Sequence, residues 1–188
     1  IYLLAGAFSE TAEAAGGVSG TVNLALSFIP ANFTVTGLFL MGCFISMAMG
    51  TSVGTVVALT PIAVDISDKT GFAVPFTVGA VVCGAMFGDN LSFISDTTIA
   101  AVRTQGCKMR DKFKANFFIV LPAAVITAVI FFVMTGDGVY VPDEELTYNI
   151  IQVIPYLAVL VGALLGVNVF LLLGCGIVIS AVAGLITG

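Results

Sequence analysis

Three long stretches of this chain carry no Asp, Glu, Lys or Arg: Ala14 to Val64, Ala115 to Gly136 and Leu146 to Gly188. As one α-helix the first would run roughly 76 Å, at 1.5 Å per residue. A bilayer core is ~30 Å thick and is crossed by about 20 residues. That stretch alone therefore implies at least two passes. Charged residues make up only 9% of the chain, against roughly 25% in an ordinary soluble domain, so no aqueous surface of normal extent can be covered. A cytosolic domain, a disordered tail and a disulfide-rich secreted module are excluded. The net charge of −5 and the single short basic cluster argue against a nucleic-acid partner; the expected partner is the lipid bilayer. The ten-residue alternating segments of an outer-membrane barrel are missing. An all-α polytopic membrane protein, built as a helical bundle, is the expected fold.

Ile1 opens within an apolar run without Met, and Gly188 closes within another; we expect an internal piece of a longer polytopic protein. Cys43, Cys83, Cys107 and Cys175 are scattered without a Cys-x-x-Cys pair, and histidine is missing. A zinc or iron–sulfur site is not expected, nor is any resident cofactor. Leu3 to Ile29 reads as a helix, a break at Gly16–Gly17 and a second short helix reaching Pro30. Gly37 to Val64 is apolar at both ends, with Gly50-Thr51-Ser52-Val53-Gly54-Thr55 between them. Phe72 to Gly88 and the more polar Leu91 to Val102 follow, then the clean span Ala115 to Thr135. Ile150 to Gly166 and Asn168 to Thr187 close the chain, joined at Val167–Asn168 by a turn or a kink.

Orientation follows from the basic residues. Arg103, Lys108, Arg110, Lys112 and Lys114 fall in one short loop, 103–114, which the positive-inside rule assigns to the cytoplasm. Loop 136–149, with Asp137, Asp143, Glu144 and Glu145, should then lie outside. A solvated connector accounts for those acids equally simply, and the basic cluster also suits anionic lipid.

Phe72 to Val102 does not fit a plain bundle. As one helix it would run about 46 Å, too long for one crossing. Asp89, Asn90, Ser92, Ser95, Asp96, Thr97 and Thr98 crowd into ten of its residues. Irregular backbone at membrane depth survives only where protein or a watery cavity satisfies it, so a helix broken near Gly88, or a re-entrant hairpin, is expected. Intramembrane carboxylates cost about 2.5–3.5 kcal/mol each on insertion scales. On a continuous helix Asp89, Ser92 and Asp96 would share a face. They would form a cluster of hard oxygens with no ammonium beside it, which suits a hard cation. The same carboxylates can take protons, and competition between the two is the minimal device for exchanging a cation against protons. The alternative is that both acids cap half-helices, for which Asp is well suited. Thr51, Ser52 and Thr55 either offer further oxygens from an unwound stretch or belong to a close helix contact. Glu10, one turn from Glu13, lines the ion path or faces an aqueous vestibule.

Gly50-Thr-Ser-Val-Gly-Thr55, Pro61 and Gly84-Ala-Met-Phe-Gly-Asp-Asn-Leu-Ser-Phe-Ile-Ser-Asp-Thr-Thr98 together resemble the NhaC-type sodium/proton antiporter family. The family pattern runs close to Gly-Thr-Ser…Gly-Ala-x-Phe-Gly-Asp-x-x-Ser-Pro-x-Ser-Asp-Thr-Thr, strongest here from about Gly50 to Val133. One departure stands out: Phe93 occupies the position of the family's proline. The resemblance implies a secondary transporter of the prokaryotic cytoplasmic (inner) membrane, moving sodium out and protons in. It also implies inverted repeats with broken helices, residues 1–135 covering most of one repeat and 150–188 starting the next. Asp89, Asn90, Ser92, Ser95, Asp96, Thr97 and Thr98 carry over as ion-path residues, with Thr51, Ser52 and Thr55 behind them. Asp89 and Asp96 would alternate between sodium and protons, these small cations being substrates and bound only transiently. Some members are assigned to organic-anion exchange, so a cation-coupled organic-anion or amino-acid carrier is the alternative. An intramembrane aspartyl protease using Asp65 and Asp89 is more distant, because Gly84 to Gly88 lacks the Gly-x-Gly-Asp spacing of such enzymes. No enzymatic activity is therefore expected.

Overall fold

A computed structural model describes residues 2–28, 30, 33–135, 147–165 and 167–187. Residues 136–146, which hold the four acids of the expected outer loop, lie outside the described residues. The elements are α1 (Tyr2–Ala14), α2 (Gly17–Phe28), α3 (Thr34–Met49), α4 (Ser52–Thr70), α5 (Val74–Leu91), α6 (Asp96–Thr104), α7 (Met109–Thr135), α8 (Ile150–Leu164) and α9 (Val169–Thr187).

The centre is the pairing of α3 with α5, and glycine makes it close. A Cβ on Gly84 would run into the Phe39 carbonyl, and one on Gly88 into the Cys43 carbonyl. Small residues four apart let two backbones touch where lipid supplies no hydrophobic drive for association. The offset between partners stays at 45 residues, since the Ser92 hydroxyl bonds the Met47 carbonyl at 2.9 Å; the two helices therefore run in the same direction. A buried hydroxyl bridges them, Ser46 Oγ donating to the Ala85 carbonyl at 2.6 Å.

Helix α4 runs back beside them. Ser52 at its start reaches Asp89 near the end of α5, and residues 71–73 join its other end to the start of α5. Helix α7 is also antiparallel to α5. Phe131 packs on Phe76 with ring centroids 5.2 Å apart, while Asn116 meets Asn90 at the opposite end. The C-terminal ends of α3 and α5 thus meet the first residues of α4 and α7.

A second layer closes over α1 and α2. Phe8 of α1 lies edge-on to Tyr156 of α8, 6.0 Å between centroids, and both side chains are buried. Asn23 of α2 donates to the Thr147 carbonyl at 2.7 Å. Leu172 lies against Gly162 and Gly176 against Val159, so α8 and α9 form an antiparallel hairpin. Val167–Asn168 is accordingly a turn, and the Asn168 side chain caps α9 by accepting from the Phe170 N–H at 2.9 Å.

Segments 74–104, 109–135 and 170–187 are long and apolar enough to cross a membrane. Along α7, Phe118, Ile119, Val125, Ile126, Val129 and Val133 are exposed, a surface suited to lipid. The protein is an all-α, multi-pass membrane protein. The expected loop 103–114 is narrower than its charges suggested, because α6 continues to Thr104 and α7 begins at Met109.

Candidate functional site

Two interruptions of helix meet. The first is the α3–α4 turn. Gly50 ends α3 in the left-handed region, φ 75°, with its N–H on the Ser46 carbonyl. Thr51 is extended and caps α4, accepting from the Gly54 N–H at 3.3 Å. Helix α4 then folds back against α5, so the stretch is a hairpin tip and not an unwound span. The second interruption is Ser92–Ser95. Ser92 leaves α5 with φ −63° and ψ 140°, the extended backbone that precedes proline. Phe93 thus occupies a place that suits the family's proline, and stacks on Phe113 of α7 at 4.7 Å. The two interruptions touch: a Cβ on Gly50 would lie 2.7 Å from Ile94 Cγ1 and 3.0 Å from the Ser95 nitrogen.

The hydroxyls divide into two kinds. Ser92 is buried between the Met47 carbonyl and the Ile94 N–H, Ser95 shares a 3.0 Å bond with Thr97, and Thr55 bonds the Thr51 carbonyl at 2.8 Å. These three hold the interruptions in shape. Ser52 instead turns its hydroxyl to Asp89, donating to Oδ2 at 3.2 Å. Among the described residues, Asp89 Oδ1 is buried with no hydrogen-bond partner. Asp89 lies in the last turn of α5, where the helix dipole presents its negative end; it is therefore no N-cap.

Asp96 begins α6, and its Oδ1 accepts from the Thr97 N–H at 2.6 Å. It also lines a cavity of about 330 Å³ together with Glu10, Glu13, Gly50, Thr51 and Gly54. The shared helical face expected for Asp89, Ser92 and Asp96 is not formed. The helix breaks between them, leaving Asp89 on Ser52 and Asp96 at the cavity. Glu10, which the sequence left between ion path and vestibule, lines that same cavity with Glu13.

The expectation of no nearby ammonium is also corrected. Lys112 Nζ donates to the Asn90 carbonyl and, at 3.1 Å, to Thr98 Oγ1. Asn116 donates to the Asn90 carbonyl at 3.4 Å and to Asn90 Oδ1 at 3.3 Å. Lys112 was hidden among the loop charges; its signal is the i, i+4 spacing to Asn116 on one face of α7. Relative to the charge-free part of α7, which starts at Ala115, the site lies near the basic-loop end rather than mid-span. Among the described residues no three acid, thiol or imidazole side chains converge as a metal-holding group.

Residues 1–136 match the sequence pattern of the Na+/H+ antiporter family. The chain belongs to that family. Both interruptions fall inside the matched residues, and α8 and α9 outside them. The chain is 36% identical over 132 residues to the Na(+)/H(+) antiporter NhaC of Bacillus subtilis (strain 168), covering 69% of this chain and 28% of that protein. It is 32% identical over 134 residues to the malate-2H(+)/Na(+)-lactate antiporter of the same organism, covering 71% of this chain and 29% of that one. A third relative, NhaC of Alkalihalophilus pseudofirmus, is 34% identical over 123 residues, 63% of this chain and 26% of that protein. The chain spans under a third of the length of these relatives. No solved structure matches it.

Proposed function

We propose that the protein containing this chain is a secondary antiporter exchanging sodium for protons, a transporter and not an enzyme, with Asp89 and Asp96 as the exchanging carboxylates. The observation that carries this reading is Asp89: a carboxylate at the negative end of a helix, one oxygen on Ser52 and the other buried with no hydrogen-bond partner among the described residues. A carboxylate oxygen that is buried without a donor is costly to keep charged, and the negative helix end beside it adds to that cost. A proton or a metal cation relieves that cost, and a single carboxylate oxygen cannot take both fully. Mutual exclusion of this kind makes exit of one ion depend on entry of the other. The cavity lined by Glu10, Glu13 and Asp96 serves as the aqueous approach, its three acids drawing cations from water. Asn90, Thr97 and Thr98 surround the interruption, while Ser92, Ser95 and Thr55 keep its shape.

The membrane is the cytoplasmic membrane in this reading, with the 103–114 segment inside and 136–149 outside. Residues 1–135 form most of one repeat and 150–188 open the next. In sealed vesicles carrying the full-length protein, Asp89→Asn with Asp96→Asn should abolish sodium-dependent proton movement while protein still reaches the membrane. Exchange near the normal rate in that variant would overturn the assignment. Similarity to a malate-2H(+)/Na(+)-lactate antiporter favours one second reading, cation-coupled organic-anion exchange. A dependence of proton flux on added dicarboxylate would select it.

A further inference from the structure

The first two turns of α7 close over the α5–α6 interruption with one face. Lys112 bonds the Asn90 carbonyl in the last turn of α5 and the Thr98 hydroxyl in the first turn of α6. Asn116, one turn on, bonds Asn90 twice. Phe113 stacks on Phe93 within the interruption itself. Both halves of the broken segment are thereby fastened to one helix, most of whose remaining surface is exposed.

Charge sets Lys112 apart from its neighbours on this face. The last carbonyls of a helix have no intrahelical donor, and the α5 terminus carries about half a negative charge. Asp89 adds a full one, and Lys112 is near enough to interact with it through space. Among the described residues, Ser52 of α4 also faces this end of α5, and Asp96 begins α6. An ammonium held by two oxygens is a cation that cannot leave. It occupies part of the negative field that a sodium ion would otherwise enjoy alone.

We propose that Lys112 is a positioning residue for ion exchange: it fastens the two halves of the α5–α6 interruption and weakens the hold of Asp89 on its cation so that the cation is released. The inference rests on the antiport reading above. A transport site must bind well enough to load and weakly enough to unload, and a fixed positive charge shifts that balance toward unloading.

The test is sodium-dependent proton flux in vesicles bearing full-length wild type, Lys112→Gln, Lys112→Arg and Asn116→Ala. Glutamine keeps a donor and loses the charge. It should lower the sodium KM about tenfold, equal to one pKa-unit equivalent of lost repulsion, and lower turnover with it. Arginine keeps the charge and should stay within about twofold of wild type in KM. Asn116→Ala loosens the same contact without touching charge and should reduce turnover with KM unchanged. A Lys112→Gln KM equal to or above wild type would overturn the proposal, as would an arginine variant that shifts KM as glutamine was expected to. If the glutamine protein does not insert, the arginine arm decides. Wild type without sodium-dependent flux would defeat the antiport reading itself, an outcome separate from these.

Discussion

Gly88→Ala tests whether the contact between α3 and α5 is what assembles the site. A Cβ at Gly88 would overlap the Cys43 carbonyl and would lie 2.8 Å from both the Met47 nitrogen and Ser46 Cβ. Ordinary contacts begin near 3.4 Å, so the two backbones must part by about 0.6 to 1.2 Å, a displacement that close-packed helices resist. Overpacking of this size costs about 1–3 kcal/mol, against a gain of roughly 1 kcal/mol for alanine over glycine inside a helix. The displacement falls on the bonds that define the site. Ser92 Oγ to the Met47 carbonyl is 2.9 Å and Ser52 Oγ to Asp89 is 3.2 Å; either lengthened by 1 Å ceases to be a hydrogen bond. We expect a lower melting temperature in detergent and an exchange rate reduced about tenfold or more. Gly79 lies on the same helix with nothing within 4 Å of its Cβ position, so Gly79→Ala should be neutral or stabilising. If Gly88→Ala and Gly79→Ala melt alike and exchange alike, close approach of these helices does not govern the site.

Two further outcomes follow from individual contacts. Ser52→Ala removes the hydroxyl that meets Asp89 Oδ2; a hydrogen bond to a charged group is worth about 1.5–3 kcal/mol, so exchange should fall by about tenfold or more, and Ser52→Thr should restore most of it. Phe93→Pro should fold and still exchange, because Ser92 already holds the backbone that precedes proline, whereas Phe113→Ala, losing a stack worth about 0.5–1.5 kcal/mol beyond its buried area, should lower stability by at least that amount in a thermal melt; failure of Phe93→Pro to insert would refute the backbone argument.

Glycine and serine at this site were visible in the sequence, but their duties were not. Gly84 and Gly88 read as part of a motif, yet only the paired helices reveal that each admits a carbonyl of α3. Ser52 and Ser92 looked alike as hydroxyls offered to an ion path. One reaches a carboxylate and the other a main-chain carbonyl, a difference set by the turn at Gly50. Lys112 was counted for its sign as a topology signal, since periodicity places no charge against a helix 20 residues away.

The sequence by itself determined that lipid is the solvent, that the chain is helical, and that a helix breaks near Gly88; the structure carries α5 past that glycine to Leu91 and puts the break at Ser92–Ser95. Those follow from local chemistry: charge-free length, backbone hydrogen bonding and the cost of carboxylates in hydrocarbon. Which side Asp89 and Asp96 face was decided only by tertiary structure. A four-residue interruption frees the rotation of α6 about α5, and the packing of α3, α4 and α7 around it then fixes one carboxylate on Ser52 and opens the other to the cavity.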